Sequence, residues 1–351
     1  MPPAQHMADV HAEHSKRHFV FVAICAIFVF VLCALVFAYF LTNRPVQEAT
    51  QSHTVVVVRN PPALDATWDM TRAELRDLGY IEGENIEYVI TEVSNDLETT
   101  KSRIAPLLGD SIDLVLTFGV LATRAAKEAT EGSGSSVPIV FAVVSDPVGG
   151  GLVRSMQSSG NNLTGITPAN EFAASKRLEF LKSLLPGAKR IISAWNDERT
   201  SGVDGLRRIA PGLGLELIDE QVADVASMVA FLDTFPYKRG DAILRASDSI
   251  GAGALSRVIE TAVRERVPLI GTNSGDTARG ALMSYGADYA PISARAARMI
   301  DQIFNGTAPS DIPIEEASDF DLAVNTDTAT KIGVTIPQSF LIKVRYVYPT
   351  E

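Results

Sequence analysis

From residue 53 onward the chain alternates short apolar strands with helical stretches, and it runs through the same order twice. The first pass reads TVVVV (54–58), a helix over 65–78, IEYVI (86–90), a helix over 97–108, IDLVLT (112–117), a helix over 120–130, then IVFAVV (139–144) opened by Val137-Pro138. The second reads RIISAW (190–195), a helix over 201–210, LELI (215–218), a helix over 225–235, DAILRA (241–246), a helix over 252–266, then LIGT (269–272) opened by Val267-Pro268. Runs such as TVVVV, β-branched and unbroken by polar residues, are those of strands buried on both faces. Strand and helix in strict alternation build parallel sheets with helices on both sides. The duplicated order predicts an α/β protein of two similar lobes, each a doubly wound parallel sheet.

In open parallel sheets, ligands bind beyond the carboxyl ends of the strands. In the first pass those ends carry Arg59-Asn60 and then Asp65, next Thr117-Phe118-Gly119, and then Ser145-Asp146-Pro147. The matching ends of the second pass carry Asn196-Asp197, Ser247-Asp248-Ser249 and Asn273-Ser274-Gly275-Asp276. Each has a purely structural reading as well. Asp146 is placed to cap a helix beginning near Gly150, Asp248 the helix after it, and Thr117 the helix over 120–130. Phe118 either stacks on a ligand or fills core, and Trp195 packs. Polar groups at equivalent ends of both passes favour a site, and capping is compatible with binding because N–H groups at a helix start attract a carboxylate.

The distribution of two residue types narrows the chemistry. Cys25 and Cys33 lie in an N-terminal apolar run, and the histidines are His6, His11, His14, His18 and His53. Beyond His53 there is neither, which excludes a cysteine nucleophile, a Ser-His-Asp triad, a Cys/His zinc site and a disulfide from the main body. The Gly149-Gly150-Gly151 run lacks the Lys-Ser/Thr of a phosphate-binding loop. The net charge is −11 and no Lys/Arg cluster is present, which argues against nucleic acid as a partner. No catalytic residue, metal or cofactor is expected. Phe19 to Leu41 carries no charge and follows Lys16-Arg17-His18. That is long enough to span a bilayer as a helix, and longer than the apolar core of roughly 7–15 residues in a secretory signal. Val36-Phe37-Ala38 leaves a cleaved signal as the alternative. Either way residues 1–18 stay cytoplasmic and the chain beyond 41 is exported, with the polar stretch 42–53 as a linker.

Seven segments carry a family resemblance: LGYIEGENIEY, DLVLTFGVLATRAAKEAT, VPIVFAVVSDPVGGGLV, NNLTGIT, KRLEFLKSLLPGAKRI, VPLIGTNSGDTARGALMSYGADY and NTDTATKIGVTIPQSFLIK. Over about 54–345 the chain resembles the ABC-transporter substrate-binding proteins of the type I periplasmic-binding fold, in the group that includes tryptophan- and phenylalanine-binding members. The resemblance implies two lobes about a central cleft, 54–165 plus 283–312 and 166–282 plus 313–351, behind the N-terminal transmembrane helix. It implies a receptor rather than an enzyme. A small amino-acid-like ligand, aromatic ones included, would be handed to an ABC permease and its ATPase. Carried over by position, the ligand contacts are Asp65, Thr117, Gly119, Ser145 and Asp146 in the first lobe and Asn196, Asp248 and Asp276 in the second. Phe118 and Ser247 stand beside them. Asp146 or Asp248 would hold an ammonium group, hydroxyls and helix N-termini a carboxylate, and Phe118 an apolar side chain. Two departures stand out. Asp248-Ser249 replaces a common Asp-Asn, and the long apolar run replaces a short leader. The second implies a domain held at the inner membrane and facing the periplasm or the exterior, with a cleaved periplasmic form as the alternative. A membrane-tethered ligand sensor of the same fold is the rival reading.

Overall fold

The structure is a computed structural model that describes residues 52–349 apart from 61–63, 95 and 197–201. The apolar run 19–41 and residues 42–51 of the linker lie outside the described residues. Among the described residues no helix is long and apolar enough to cross a membrane.

The first sheet is built in chain order from β1 (His53–Arg59), β2 (Ile86–Glu92), β3 (Leu114–Phe118), β4 (Ile139–Ala142) and β5 (Leu163–Thr167). Helices α1 (Asp65–Asp77), α2 (Leu97–Ile104) and α3 (Val120–Ser133) connect them. The chain then enters α4 (Asn170–Leu184) and lays down β6 (Arg190–Trp195), α5 (Val203–Ile209), β7 (Glu216–Gln221), α6 (Val225–Thr234), β8 (Asp241–Leu244), α7 (Ser249–Glu265), β9 (Leu269–Gly271), α8 (Ser274–Arg279) and β10 (Met283–Ala287). After α9 (Tyr289–Phe304) come β11 (Glu315–Glu316), β12 (Phe320–Asn325), α10 (Thr326–Ile332), α11 (Gln338–Leu341) and β13 (Tyr346–Tyr348).

The strand orders are β11-β5-β4-β3-β1-β2 in one sheet and β13-β12-β10-β9-β8-β6-β7 in the other. The repeated order read from the sequence is thus a repeated topology, with β1, β3 and β4 matching β6, β8 and β9. All pairings are parallel except β10 with β12. In β1, Val55 and Val57 enter one core and Val56 and Val58 the other, on opposite faces of the sheet, and all four are fully buried. Burial of each contributes about 1.5–3 kcal/mol. That two-sided burial is why the strand reads as an unbroken valine run.

The structure corrects three expectations. The strand expected over 139–144 ends at Ala142, because Val143 turns to φ 61° and leaves the ladder. No helix starts near Gly150; residues 147–151 form a turn. The strand at 283–287 belongs to the second sheet, where Met283 pairs with Ile270 and Val324. Glu315 and Glu316 pair with Ile166 and Thr167 in the first. The chain therefore changes sheets after Thr167, close to the 165 expected, but after Ala287 rather than near 282 and between Glu316 and Phe320 rather than near 312. Apolar periodicity identifies a strand but does not say which sheet it joins. Helix α9 returns to the first lobe, where Ile292, Ala296, Met299 and Ile300 share a core with Trp68 and Leu75.

Candidate functional site

The first-lobe rim begins at the carboxyl end of β1. Arg59, its last residue, donates from Nη2 to Asp65 Oδ1 at 2.6 Å. Asp65 opens α1, so one carboxylate serves both the helix N-terminus and the guanidinium, whose pKa that hydrogen bond raises. At the end of β3 the backbone turns at Gly119 with φ 87°, a conformation that favours glycine. A Cβ there would stand 3.5 Å from Asn60 Nδ2 and 3.7 Å from Leu64 Cδ1, so the β1 and β3 loops meet at this point.

The two residues before Gly119 do not reach the rim. Thr117 is fully buried and its hydroxyl lies 2.8 Å from that of Thr123, which donates to the Gly119 carbonyl at 2.8 Å. With the Thr123 proton committed, Thr117 is the donor of the pair. Phe118 is also fully buried, its ring edge-on to Trp68 at 6.3 Å. Alternation along the strand sends one side chain into each helical layer. Phe118 is a core residue in this structure, and no face of its ring is open to a ligand.

At the end of β4, Asp146 closes the turn that follows. Its Oδ1 accepts from the Gly149 N–H at 2.7 Å and its carbonyl from the Gly150 N–H at 3.0 Å. A Cβ on Gly149 would lie 2.1 Å from Asp146 Oδ2, and one on Gly150 would lie 2.7 Å from the Asp146 carbonyl oxygen. The glycines after Asp146-Pro147 are thus the condition for folding the chain back over that carboxylate. Oδ2 accepts no hydrogen bond from the described residues. Ser145 is tied elsewhere: its hydroxyl accepts from Asn170 Nδ2 at 2.7 Å and its carbonyl from Thr167 Oγ1 at 3.1 Å. Both partners lie on the segment that leaves the first sheet for the second.

The second-lobe rim is more densely bonded. Asp248, the N-cap of α7, accepts from the Gly251 N–H at 2.7 Å and from the Asn196 N–H at 2.8 Å. Asn196 in turn donates from Nδ2 to the Val222 and Ala223 carbonyls at 2.9 and 3.2 Å. One carboxylate and one amide thereby join the ends of β6, β7 and β8. Asp276 accepts at a single oxygen, Oδ2, from Arg245 Nε at 2.8 Å, the Thr272 N–H at 2.7 Å and the Thr272 hydroxyl at 3.1 Å. Arg245 Nη2 also reaches the Thr272 hydroxyl, and Nη1 donates to the Ala246 carbonyl at 3.1 Å.

Behind this loop lies Arg177 of α4, 2% exposed. It donates to the Tyr285 carbonyl at 2.7 Å, the Thr272 carbonyl at 3.1 Å and the Ser247 hydroxyl at 3.4 Å. Burial and the neighbouring Arg245 guanidinium lower its pKa to about 10, so it remains a cation at neutral pH. Tyr289, where the chain re-enters the first lobe, faces Arg245, Asp276, Asn273 and Arg177, and burial raises its pKa.

Asn196, Ser247, Asp248 and Asp276 are therefore brought together at the ends of the second sheet, and Asp65, Gly119, Ser145 and Asp146 at the ends of the first. Thr117 and Phe118 are withdrawn into the layers. Arg177 and Arg245 are the polar residues that motif reading passed over. Arg177 falls on the stripe of α4 occupied by the buried Ala173, Ala174, Leu178 and Leu181. A charge on an apolar stripe was the available signal. Among the described residues no cluster of His, Cys, Asp and Glu could hold a metal ion. The rims offer charges, hydroxyls and backbone N–H groups, which is equipment for recognition.

The comparisons with known proteins agree. A solved structure from Vibrio cholerae, a conserved domain protein, superimposes with a TM-score of 0.74 at 26% identity, covering 85% of this chain and 99% of that one. An ABC domain from Streptococcus pneumonia in complex with L-Trp gives a TM-score of 0.77 at 22% identity over the same shares. A protein from Clostridioides difficile named tyrosine-binding protein is 27% identical over 270 residues, 76% of each chain. The family model described as ABC transporter substrate binding protein matches residues 53–347. The chain belongs to the ABC transporter substrate-binding protein family.

Proposed function

We propose that this protein is the extracytoplasmic solute receptor of an ABC importer, taking a small amino-acid-like ligand between its lobes and delivering it to a permease and ATPase. The observation that carries the reading is the pair of topologically matched rims, polar at equivalent strand ends and without a nucleophile–base pair among the described residues. The relatives named for tyrosine and complexed with L-Trp support an amino-acid ligand, aromatic ones first. Gly119, Ser145 and Asp146 form the first-lobe side, with one Asp146 oxygen left for an ammonium group. Ligand contacts made to both lobes draw them together about the crossing segments. The apolar run 19–41 tethers the domain to the inner membrane, which is tested by whether the protein stays in carbonate-washed membranes.

The ligand reading is tested by a thermal-shift screen of the full-length chain in detergent against the amino acids and related metabolites. A solute at a hundredfold excess over its Kd stabilises the folded state by about 2.7 kcal/mol. The expected result is a clear shift with at least one amino acid that Asp146→Ala removes. A folded sample that shifts with none overturns the proposal.

A further inference from the structure

Among the described residues, two buried cations stand at the second-lobe rim, Arg245 after β8 and Arg177 of α4 behind the loops, and one carboxylate, Asp276, is in direct contact with them. Arg177 makes all its hydrogen bonds to neutral oxygens, the Tyr285 and Thr272 carbonyls and the Ser247 hydroxyl. Arg245 is paired with Asp276, and their side chains are only 6% and 7% exposed. The neighbouring Asp248 directs its oxygens to the N–H groups of Gly251 and Asn196. A guanidinium has five N–H donors, and each of these two uses three of them on the protein. A buried cation without a contacting anion is costly, so this corner favours any anion that reaches it. The first-lobe rim differs, since among the described residues Asp146 keeps one carboxylate oxygen without a donor.

We propose that Arg245 receives the carboxylate of the ligand, so that an amino acid lies with its ammonium toward Asp146 in the first lobe and its carboxylate toward the second. The proposal rests on the solute-receptor reading above and adds a polarity to it. Arg245 is placed for this by position, directly after β8 at the carboxyl end of the sheet. Asp276 and Thr272 act as positioning residues: they engage Nε and one terminal nitrogen and fix the plane of the fork, which leaves planar donors for a carboxylate. Arg177 lies behind, holds the Thr272 and Ser247 loops in register and adds its charge. On this assignment Asp248 and Asp276 are structural partners of the rim and do not hold the ammonium group.

The test is calorimetric binding of L-tyrosine, L-tryptophan, L-phenylalanine and L-leucine, each beside its carboxamide, to the full-length protein in detergent. For whichever acid binds, the amide is expected to bind about 10- to 100-fold more weakly, the worth of a hydrogen-bonded charge. Arg245→Met brings the acid down to the amide, and Arg245→Lys restores part of the difference. Asp276→Asn keeps the acceptor at Nε and removes a competing charge, so in protein that still folds it raises the acid-to-amide ratio, which a carboxylate remote from the ligand would not do. Equal affinity of wild-type protein for acid and amide overturns the assignment without needing any variant to fold, and so does an Arg245→Met protein that keeps the ratio. Both outcomes leave the receptor reading standing. A folded protein that binds none of these acids or amides overturns the reading of an aromatic or apolar amino-acid ligand, and the assignment with it.

Discussion

Replacing Asp276 with Asn removes the carboxylate that touches the buried Arg245 guanidinium. Its Oδ2 accepts from Arg245 at 2.8 Å and twice from Thr272, at 2.7 and 3.1 Å, and the side chain is 7% exposed. All three donors meet one oxygen, so an amide oxygen in its place can accept them, and the substitution removes the charge rather than the hydrogen bonds. Breaking a buried pair from one side costs about 3–5 kcal/mol, because the remaining charge stays buried and unmatched. The control is Asp65→Asn in the first lobe. There the partners Arg59 and Asp65 are 25% and 35% exposed, and such a pair contributes about 0–1 kcal/mol. The chain has two tryptophans, Trp68 in the first lobe and Trp195 in the second. In a Trp68→Phe background, urea unfolding followed by Trp195 fluorescence reports the second lobe. Asp276→Asn is expected to lose about 3–5 kcal/mol in that assay, and Asp65→Asn, read by Trp68 fluorescence in a Trp195→Phe background, less than about 1 kcal/mol. A loss for Asp276→Asn as small as that for Asp65→Asn would refute the claim that this carboxylate offsets a buried cation.

Phe118→Ala leaves a cavity in the first-lobe core and is expected to cost about 3–5 kcal/mol in urea unfolding. Ligand affinity per folded molecule stays unchanged, and a lost affinity at full stability would return Phe118 to the binding surface. Gly119→Ala forces an alanine to φ 87° and is expected to cost about 1–2 kcal/mol, read as a lowered urea midpoint. His53 is 8% exposed, stacks on Phe304 at 3.8 Å and leaves Nδ1 without a partner; desolvation lowers its pKa. The unfolded histidine takes a proton at about pH 6.5, above the folded one. The stability that neutral His53 contributes is therefore present above that pH and lost as pH falls toward its lowered folded pKa. His53→Phe, which keeps the stacking, should flatten that part of the Tm–pH curve, and parallel curves would refute the assignment.

The architecture was legible because buried parallel strands advertise themselves. TVVVV and RIISAW have no polar face to confuse the period, and both became strands close to the residues expected. The ends of β4 were less legible, since Val143 continues the apolar run yet leaves the ladder at φ 61°. The helix expected after Asp146 proved to be a turn, because an aspartate closes a turn with the same hydrogen bond it would use to cap a helix. Strand β10 reads like any other strand, and its place in the second sheet follows from pairing with Ile270 and Val324, partners distant in sequence.

The rim shows the same division. Naming strand-end residues located Asp146, Asn196, Ser247, Asp248 and Asp276, because in a parallel sheet the chain direction decides which loops share an edge. It did not say which way Thr117 and Phe118 point, and one residue of register separates a rim side chain from a core one. It passed over Arg177 and Arg245, whose partners lie up to 108 residues away. The amino-acid sequence by itself determined the alternation, the duplication and the edge on which polar groups collect, since these follow from local periodicity and chain direction. Only the tertiary structure decided which carboxylates are already matched by buried cations and which oxygen is left over. Charge pairing depends on distances of a few ångströms between segments that are remote along the chain.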